Sequence, residues 1–219
     1  MDRIFVCKNV SQKSARILLT NGGDIVIIYK TERTLFFGNR EGKRCDMQRV
    51  YSLIVDNNPG VLSRISGLFS RRGYSIDSIT AGLTADPRFT RITIVASGDE
   101  LILSQIEKQV RKLEDIVEIK VLDPSESVYR ELIMVKIRAN ASERAEIISV
   151  ADIFRAKIVD VEKESLMVEL TGTQSKLDGF LNLLDGYEIL ELARTGITGL
   201  KRGIKDVTYI DESGNISDN

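Results

Sequence analysis

Residues 51–76 read YSLIVDNNPGVLSRISGLFSRRGYSI, and this stretch decides the fold. Apolar and polar residues alternate over 51–56, which is the period of a half-buried strand. Apolar residues then recur every three or four positions from Val61 to Phe69, which is the period of an amphipathic helix. Gly73 is a typical helix stop, and a strand pattern follows it. The stretch therefore predicts a strand, a tight junction, a helix and a second strand.

The junction at residues 56–60 predicts an accessible helix start. We expect Asn58 to be the N-cap and Pro59 the first helical residue, because that position needs no N–H donor. Gly60 has no side chain, so an outside group can approach the N–H groups of Gly60 and Val61 closely. A helix N-terminus attracts small anions, including carboxylates. An ordinary turn that binds nothing has the same composition, and the absence of a GxxxxGK[ST] pattern argues against a nucleotide phosphate site.

The composition is typical of a globular chain and excludes several kinds of active site. Of 219 residues, 42% are hydrophobic and 29% are charged, so the chain is able to bury a core. Histidine is absent, which excludes Ser-His-Asp and Cys-His catalysis and imidazole-ligated zinc within this chain. Cys7 and Cys45 cannot form a disulfide framework or a metal-spaced cluster. Catalysis by carboxylate or lysine side chains stays open on composition alone, but the acidic and basic residues are spread along helix faces and loops. We predict no catalytic residues, no metal site and no cofactor on the chain.

Charge and hydropathy argue against nucleic-acid and membrane partners. The formal net charge is -1, which gives no general attraction to nucleic acid or to an anionic membrane surface. No run of 18 apolar residues predicts a transmembrane helix, and the start lacks the core of a signal peptide. We expect a cytoplasmic protein.

One pattern of elements occurs twice along the chain. Residues 47–123 show the order βαββαβ, and 129–203 show it again, with a polar linker at 124–128 between them. The fold class is therefore predicted to be α+β, with two ferredoxin-like βαββαβ domains. Residues 204–219 are polar and are expected to form a frayed tail.

Residues 1–46 differ in character from the rest of the chain. Apolar runs at 25–28 and 35–37 predict short strands, but two hairpin-like pieces do not make a domain. Met47 directly precedes the first strong strand. We hypothesise that Met47 is the native initiator and that 1–46 is an atypical, non-native extension.

The two repeats differ at the junction between the first strand and the first helix. In the second repeat this junction reads Asn140-Ala141-Ser142-Glu143, with a side chain at every position. We expect no ligand site there equivalent to the one predicted at residues 56–60.

Several motifs closely resemble the regulatory (small) subunit of acetolactate synthase, also called acetohydroxyacid synthase. In the first repeat they are LIVDNNPGVLSR at 53–64, GLFSRRGYSI at 67–76 and QIEKQ at 105–109. In the second repeat they are IFRAKIVDV at 153–161 and ARTG at 193–196. The resemblance covers about 47–203, and it extends beyond the widespread amino-acid-binding ACT domain because it includes the second repeat.

The resemblance implies a regulatory role rather than catalysis. It implies an N-terminal ACT domain that forms a homodimer and binds a branched-chain amino acid, typically valine, at the dimer interface. The catalytic subunit is a separate chain that depends on thiamine diphosphate, magnesium and FAD. The small subunit activates that chain and confers feedback inhibition in branched-chain amino-acid biosynthesis.

The same resemblance implies the residues of the effector site. Asn57 would bond the amino acid, the N–H groups of Gly60 and Val61 would bind its carboxylate, and Leu62 with Ile76 would line an apolar pocket. The start of the second strand would come from the partner protomer. Many family members have asparagine where this chain has Ser75, whose hydroxyl is shorter and makes fewer bonds. The full set of implied effector-binding residues is Asn57, Asn58, Gly60, Val61, Leu62, Ser75 and Ile76.

Three other readings share some of these features. A free-standing ACT-domain sensor of another enzyme or regulator would share the Asn-Pro-Gly junction without the motifs of the second repeat. An RNA-recognition module has the same βαββαβ order, but residues 91–95 lack the stacking aromatics that it needs. An enzyme using Lys and Asp would need a cluster of nucleophile and base, which the sequence does not show.

Overall fold

A computed structural model describes five parts of the chain. They are residues 15–19, 25–29, 47–204, 208–210 and 216–218, with side chains described for 47–204. Strands β1 (Ala15–Leu19) and β2 (Ile25–Tyr29) pair in an antiparallel arrangement. The strand expected at 25–28 is therefore confirmed, and the one expected at 35–37 lies outside the described residues.

The first repeat folds as one antiparallel sheet with two helices. Its order is βαββαβ, as predicted, and the strands lie in the order β4-β5-β3-β6. Because β4 is an edge strand, one of its sides has no partner among the described strands. The elements are β3 (Met47–Asp56), α1 (Val61–Arg72), β4 (Ser75–Leu83), β5 (Phe89–Gly98), α2 (Glu100–Val110) and β6 (Ile116–Leu122).

Both helices pack on one face of this sheet. The alternation of β3 places Tyr51, Leu53 and Val55 on that face, where all three are at most 1% exposed. The Tyr51 hydroxyl donates a 2.7 Å hydrogen bond to the carbonyl of Leu103 in α2, which satisfies a buried polar group. Burial raises the pKa of Tyr51 to about 12. Helix α2 is capped by the side chain of Asp99, which accepts a 2.8 Å hydrogen bond from the N–H group of Ile102.

The second repeat also forms an antiparallel sheet with two helices. Its strand order is β10-β7-β9-β8, and a strand that the sequence pattern did not predict, β11, pairs with the start of β7. Because β7 begins at Ser127, the last two residues of the expected linker belong to a strand. The elements are β7 (Ser127–Arg138), α3 (Arg144–Phe154), β8 (Lys157–Val161), β9 (Ser165–Gly172), α4 (Gln174–Leu183), β10 (Ile189–Arg194) and β11 (Thr198–Lys201).

Two short pieces of the polar tail form strands. Strands β12 (Thr208–Ile210) and β13 (Ile216–Asp218) pair in an antiparallel arrangement, so the expectation of a frayed tail is wrong for these residues. Backbone pairing satisfies N–H and C=O groups whatever the side chains are, which is why composition misses it.

The residues with described side chains, 47–204, divide into two compact units. The unit containing the first sheet comprises 47–132, 171–179 and 194–204, and the other comprises 133–170 and 180–193. Because the first unit includes 194–204, a segment from the end of the second repeat packs with β4.

The contact between this segment and β4 is close. The Thr80 hydroxyl donates a 2.9 Å hydrogen bond to the carbonyl of Ile197. Gly196 has a φ of 89°, and a Cβ atom added there would lie 3.0 Å from the Cβ of Ser78. Gly196 therefore combines a left-handed conformation with a close approach, and both favour glycine.

An ion pair anchors the beginning of the same segment. The Arg194 guanidinium donates two 2.7 Å hydrogen bonds to the carboxylate of Glu131, which is 6% exposed, and a third, of 3.1 Å, to Asp178. Hydrogen bonding to Glu131 raises the pKa of Arg194. A buried carboxylate requires such a partner, and this pair joins Glu131 of β7 to Arg194, the last residue of β10.

We predict that Gly196→Ala lowers the free energy of unfolding by about 2 to 4 kcal/mol, because strain from the left-handed backbone adds to contact with Ser78. Gly73→Ala is the matched control. Gly73 also has a positive φ, but nothing lies within 4 Å of an added Cβ, so only about 1 to 2 kcal/mol is expected. Urea denaturation measures both, and an equal loss in the two variants would contradict the close approach.

Candidate ligand-binding site

The junction between β3 and α1 forms a tight turn that ends at the start of the helix. Gly60 is the N-cap, with φ 87° and ψ -5°, and the N–H group of Val61 donates a 3.4 Å hydrogen bond to the carbonyl of Asn58. These angles are those of the third residue of a type II turn, which requires a positive φ and commonly follows proline. The prediction that Asn58 caps the helix and that Pro59 is its first residue is wrong, because both belong to this turn.

Neighbouring loops fix the backbone of the junction. The N–H group of Asp56 donates to the carbonyl of Asp115 at 3.0 Å, and that of Asn57 donates to the carbonyl of Arg88 at 2.8 Å. The guanidinium of Arg64 donates two further bonds, of 2.6 and 2.5 Å, to the Asp115 carboxylate. The turn is therefore attached both to α1 and to the loops before β5 and β6.

The side chain of Asn57 already makes two hydrogen bonds. Its Nδ2 donates to the carbonyl of Pro87 at 3.1 Å, and its Oδ1 accepts from the Thr90 hydroxyl at 3.1 Å. An amide oxygen can accept two hydrogen bonds, so Oδ1 keeps one acceptor position. Asn57 can therefore accept one bond from a ligand while it holds the turn before β5.

The start of α1 presents backbone N–H groups that no side chain caps. No side chain caps the helix, and its first turn contains no acidic residue. The side chain of Val61 is buried in the core, so only its backbone can face a ligand, whereas Leu62 is 46% exposed. The helix dipole then leaves partial positive charge at this end.

Arg64 is a residue of this site that the sequence patterns did not single out. A Cβ atom added to Gly60 would lie 3.4 Å from Nη1 of Arg64, so the guanidinium lies directly beside the glycine. Hydrogen bonding to Asp115 raises the pKa of Arg64 and keeps it charged. Spacing gives the signal that was missed, because residues four apart share a helix face.

One protomer does not bring all the expected site residues together. Ser75 and Ile76 begin β4, at the far end of the 12-residue helix α1, which spans about 18 Å. Ser75 is exposed and pairs with Ser97, while Ile76 is partly buried and packs against the core. The junction and the start of β4 therefore form separate halves.

The corresponding junction of the second repeat is closed by its own side chains. Oδ1 of Asn140 accepts 3.0 Å bonds from the N–H groups of both Ser142 and Glu143. Oε2 of Glu143 accepts a bond from the N–H group of Asn140 in return. This reciprocal arrangement is similar to a capping box. It occupies the N–H group of Glu143, whereas no side chain caps the helix at Gly60, the corresponding residue of the first repeat.

Other kinds of site find no support in the described residues. Within them, no group of three or more Cys, Asp or Glu side chains is placed to hold a metal ion. None of the described helices is both long enough and apolar enough to span a membrane.

Two protein families match the two repeats. The family described as the AHAS small subunit-like ACT domain matches residues 51–118. The family described as the small subunit of acetolactate synthase matches residues 130–203. Each match falls within one sheet-and-helix repeat of the chain.

Individual relatives extend over both repeats. The chain is 49% identical over 155 residues to the probable acetolactate synthase small subunit of Methanothermobacter thermautotrophicus, covering 70% of this chain and 92% of the relative. It is 45% identical over 160 residues to the acetolactate synthase isozyme 3 small subunit of Escherichia coli, covering 73% and 98%.

A solved structure agrees with these relatives. The crystal structure of the acetolactate synthase small subunit from Thermotoga maritima superposes with a TM-score of 0.68 at 39% identity, covering 72% of this chain and 99% of that one. With both repeats matched and most of each relative covered, the chain belongs to the acetolactate synthase small-subunit family.

Proposed function

We propose that this protein is the regulatory subunit of an acetolactate synthase and that it confers feedback inhibition by a branched-chain amino acid, valine above all. Family membership supports the regulatory role. The observation that supports an amino-acid ligand is the junction at Gly60, where an uncapped helix start and the Arg64 guanidinium face the same space. This combination suits a carboxylate.

The complete effector site requires a homodimer. Strand β4 is an edge strand, and its residues Ala81, Gly82 and Leu83 are exposed. An antiparallel pairing of two β4 strands about a two-fold axis places the first residue of one strand beside the last residue of the other. Ser75 of the partner subunit then lies near Leu83, next to the turn that Asn57 binds.

Each part of valine has a chemical match in such a site. The carboxylate binds the N–H group of Gly60 beside Arg64 and shares the N–H group of Val61, whose bond to the Asn58 carbonyl is long at 3.4 Å. The remaining acceptor position of Asn57 takes an N–H bond from the ammonium group. The isopropyl group packs against Leu62 and against Ile76 of the partner subunit. Asn58 supports the turn through its carbonyl, and Ser75 of the partner subunit supplies a hydroxyl.

Regulation follows from a difference in affinity between two states of the complex. Docking of this subunit favours the active arrangement of the catalytic subunit, and valine binds more tightly to the state in which that coupling is weaker. Linkage requires the reverse effect as well, so the catalytic subunit alters valine affinity by the same factor. Thiamine diphosphate, magnesium and FAD belong to the catalytic chain in this scheme.

Reconstitution tests the proposed function. The purified chain is mixed with the acetolactate synthase catalytic subunit of the same organism, and acetolactate formation is measured with and without valine. We expect stimulation by the chain and loss of that stimulation with valine. If neither effect occurs, the chain is instead a free-standing amino-acid sensor, and titration with valine, leucine and isoleucine identifies its ligand.

We predict that Gly60→Asp raises the Kd for valine by about 100-fold or more, because it adds a side chain and a negative charge where the carboxylate binds. Gly60→Ala is the control for backbone strain, since its Cβ would make only an ordinary 3.4 Å contact with Arg64, and a loss below about tenfold is expected. Isothermal titration calorimetry measures both. Unchanged valine affinity in Gly60→Asp would exclude the site.

We predict that Ser75→Asn increases valine affinity by about 2- to 10-fold, because the longer amide reaches the ligand and adds one hydrogen bond. The exposed position of Ser75 leaves room for the larger side chain. Titration calorimetry and the valine concentration for half-inhibition measure the change. Unchanged values in both measurements would place Ser75 outside the site.

A further inference from the structure

A second basic feature lies at the opposite end of α1 from the junction. An open pocket of about 500 Å³ is lined by Leu68, Arg71, Arg72, Tyr74 and Gln105. The floor is apolar, since Leu68 is 8% exposed and the Tyr74 ring packs edge-on against Phe69 at 5.9 Å. The walls supply N–H donors, and the Tyr74 hydroxyl already donates to Oε1 of Gln105 at 3.4 Å.

Among the side chains that the structure describes, the two arginines of this pocket have no carboxylate partner. Nη2 of Arg72 donates a 2.8 Å bond to Oε1 of Gln109, which is a neutral amide. Within the part of the chain that has described side chains, neither Arg71 nor Arg72 forms an ion pair. Other arginines on or near these helices do bind carboxylates, namely Arg49, Arg64, Arg88 and Arg111.

Helix α2 extends the positive charge. Lys108 is exposed and lies three residues beyond Gln105, so it shares the face of α2 that borders the pocket. The acid on this part of α2, Glu107, is already bound to Arg111 at 3.0 Å. In a chain with a net charge of -1, this is a local concentration of positive charge.

Capping of α1 does not account for these arginines. Basic residues in the last turn complement the helix dipole. However, the N–H group of Gly73 already faces the carbonyls of Phe69 and Ser70, and that of Tyr74 donates to Phe69 at 3.0 Å. The guanidinium groups line the pocket, where their donors are available to a ligand.

We propose that this pocket binds an acidic side chain of the catalytic subunit, an inference that rests on the function proposed above. Two guanidinium groups match the geometry of a carboxylate, and the apolar floor matches the methylene groups of Asp or Glu. Tyr74 directly precedes Ser75, so the docking pocket adjoins the strand that contributes to the effector site of the partner subunit. Occupation of one site can therefore alter the other.

The test uses the double variant Arg71→Gln and Arg72→Gln in the full-length chain. Its Kd for the purified catalytic subunit of the same organism is measured by biolayer interferometry at 50 and 300 mM NaCl. We expect the Kd at low salt to rise by about 30-fold, with a weaker dependence on salt than in the original chain. Thermal melting and valine titration of the chain alone verify that fold and effector site are intact.

The matched control is the double variant Arg155→Gln and Lys157→Gln. These exposed basic residues stand at the corresponding end of α3 and the start of β8, and we expect a change in Kd below about threefold. An equal loss in both double variants, or an unchanged Kd in Arg71→Gln and Arg72→Gln, overturns the docking proposal alone. No binding by the original chain would refute the proposed function, and this inference with it.

Discussion

The left-handed conformation of Gly60 is the constraint on which the functional end of the first repeat depends. A residue with φ 87° at this point closes the turn after β3 and makes α1 begin at Val61. It also removes the Cβ atom that would otherwise stand 3.4 Å from the guanidinium of Arg64. Gly60 therefore fixes the first residue of the helix, leaves the backbone N–H groups there without a side chain over them, and leaves space beside the Arg64 guanidinium.

Comparison of the two repeats shows how little is needed to open or close such a site. Both repeats place a strand before a helix, and neither N-cap residue makes a side-chain cap bond, but Oδ1 of Asn140 bonds the N–H groups of Ser142 and Glu143 at the second junction only. The difference lies in side chains that compete with an outside ligand for the same donors. A structural repeat can thus retain its fold while only one copy presents a ligand site.

The sequence predicted the order of the strands and helices more accurately than it predicted the roles of the site residues. The βαββαβ order followed from periodicity because the strands and helices are amphipathic and bury one face each. Asn58 was misplaced as a cap, because an Asn-Pro-Gly sequence fits both a capped helix and a type II turn. The spacing of Arg64 from Gly60 is a local signal, but its ion pair with Asp115, 51 residues further along the chain, is not. Pairing of β11 with β7 is likewise a long-range feature without a local pattern.

The sequence by itself determined the α+β class, the two repeats, the glycine at the junction and the exclusion of histidine chemistry, because these depend on composition and on local spacing. Only the tertiary structure decided that Asn57 already holds the turn before β5, that Gly196 packs on Ser78, and that Arg71 and Arg72 face a pocket without a carboxylate. Such facts depend on which distant groups meet after folding, and local periodicity carries no information about those contacts.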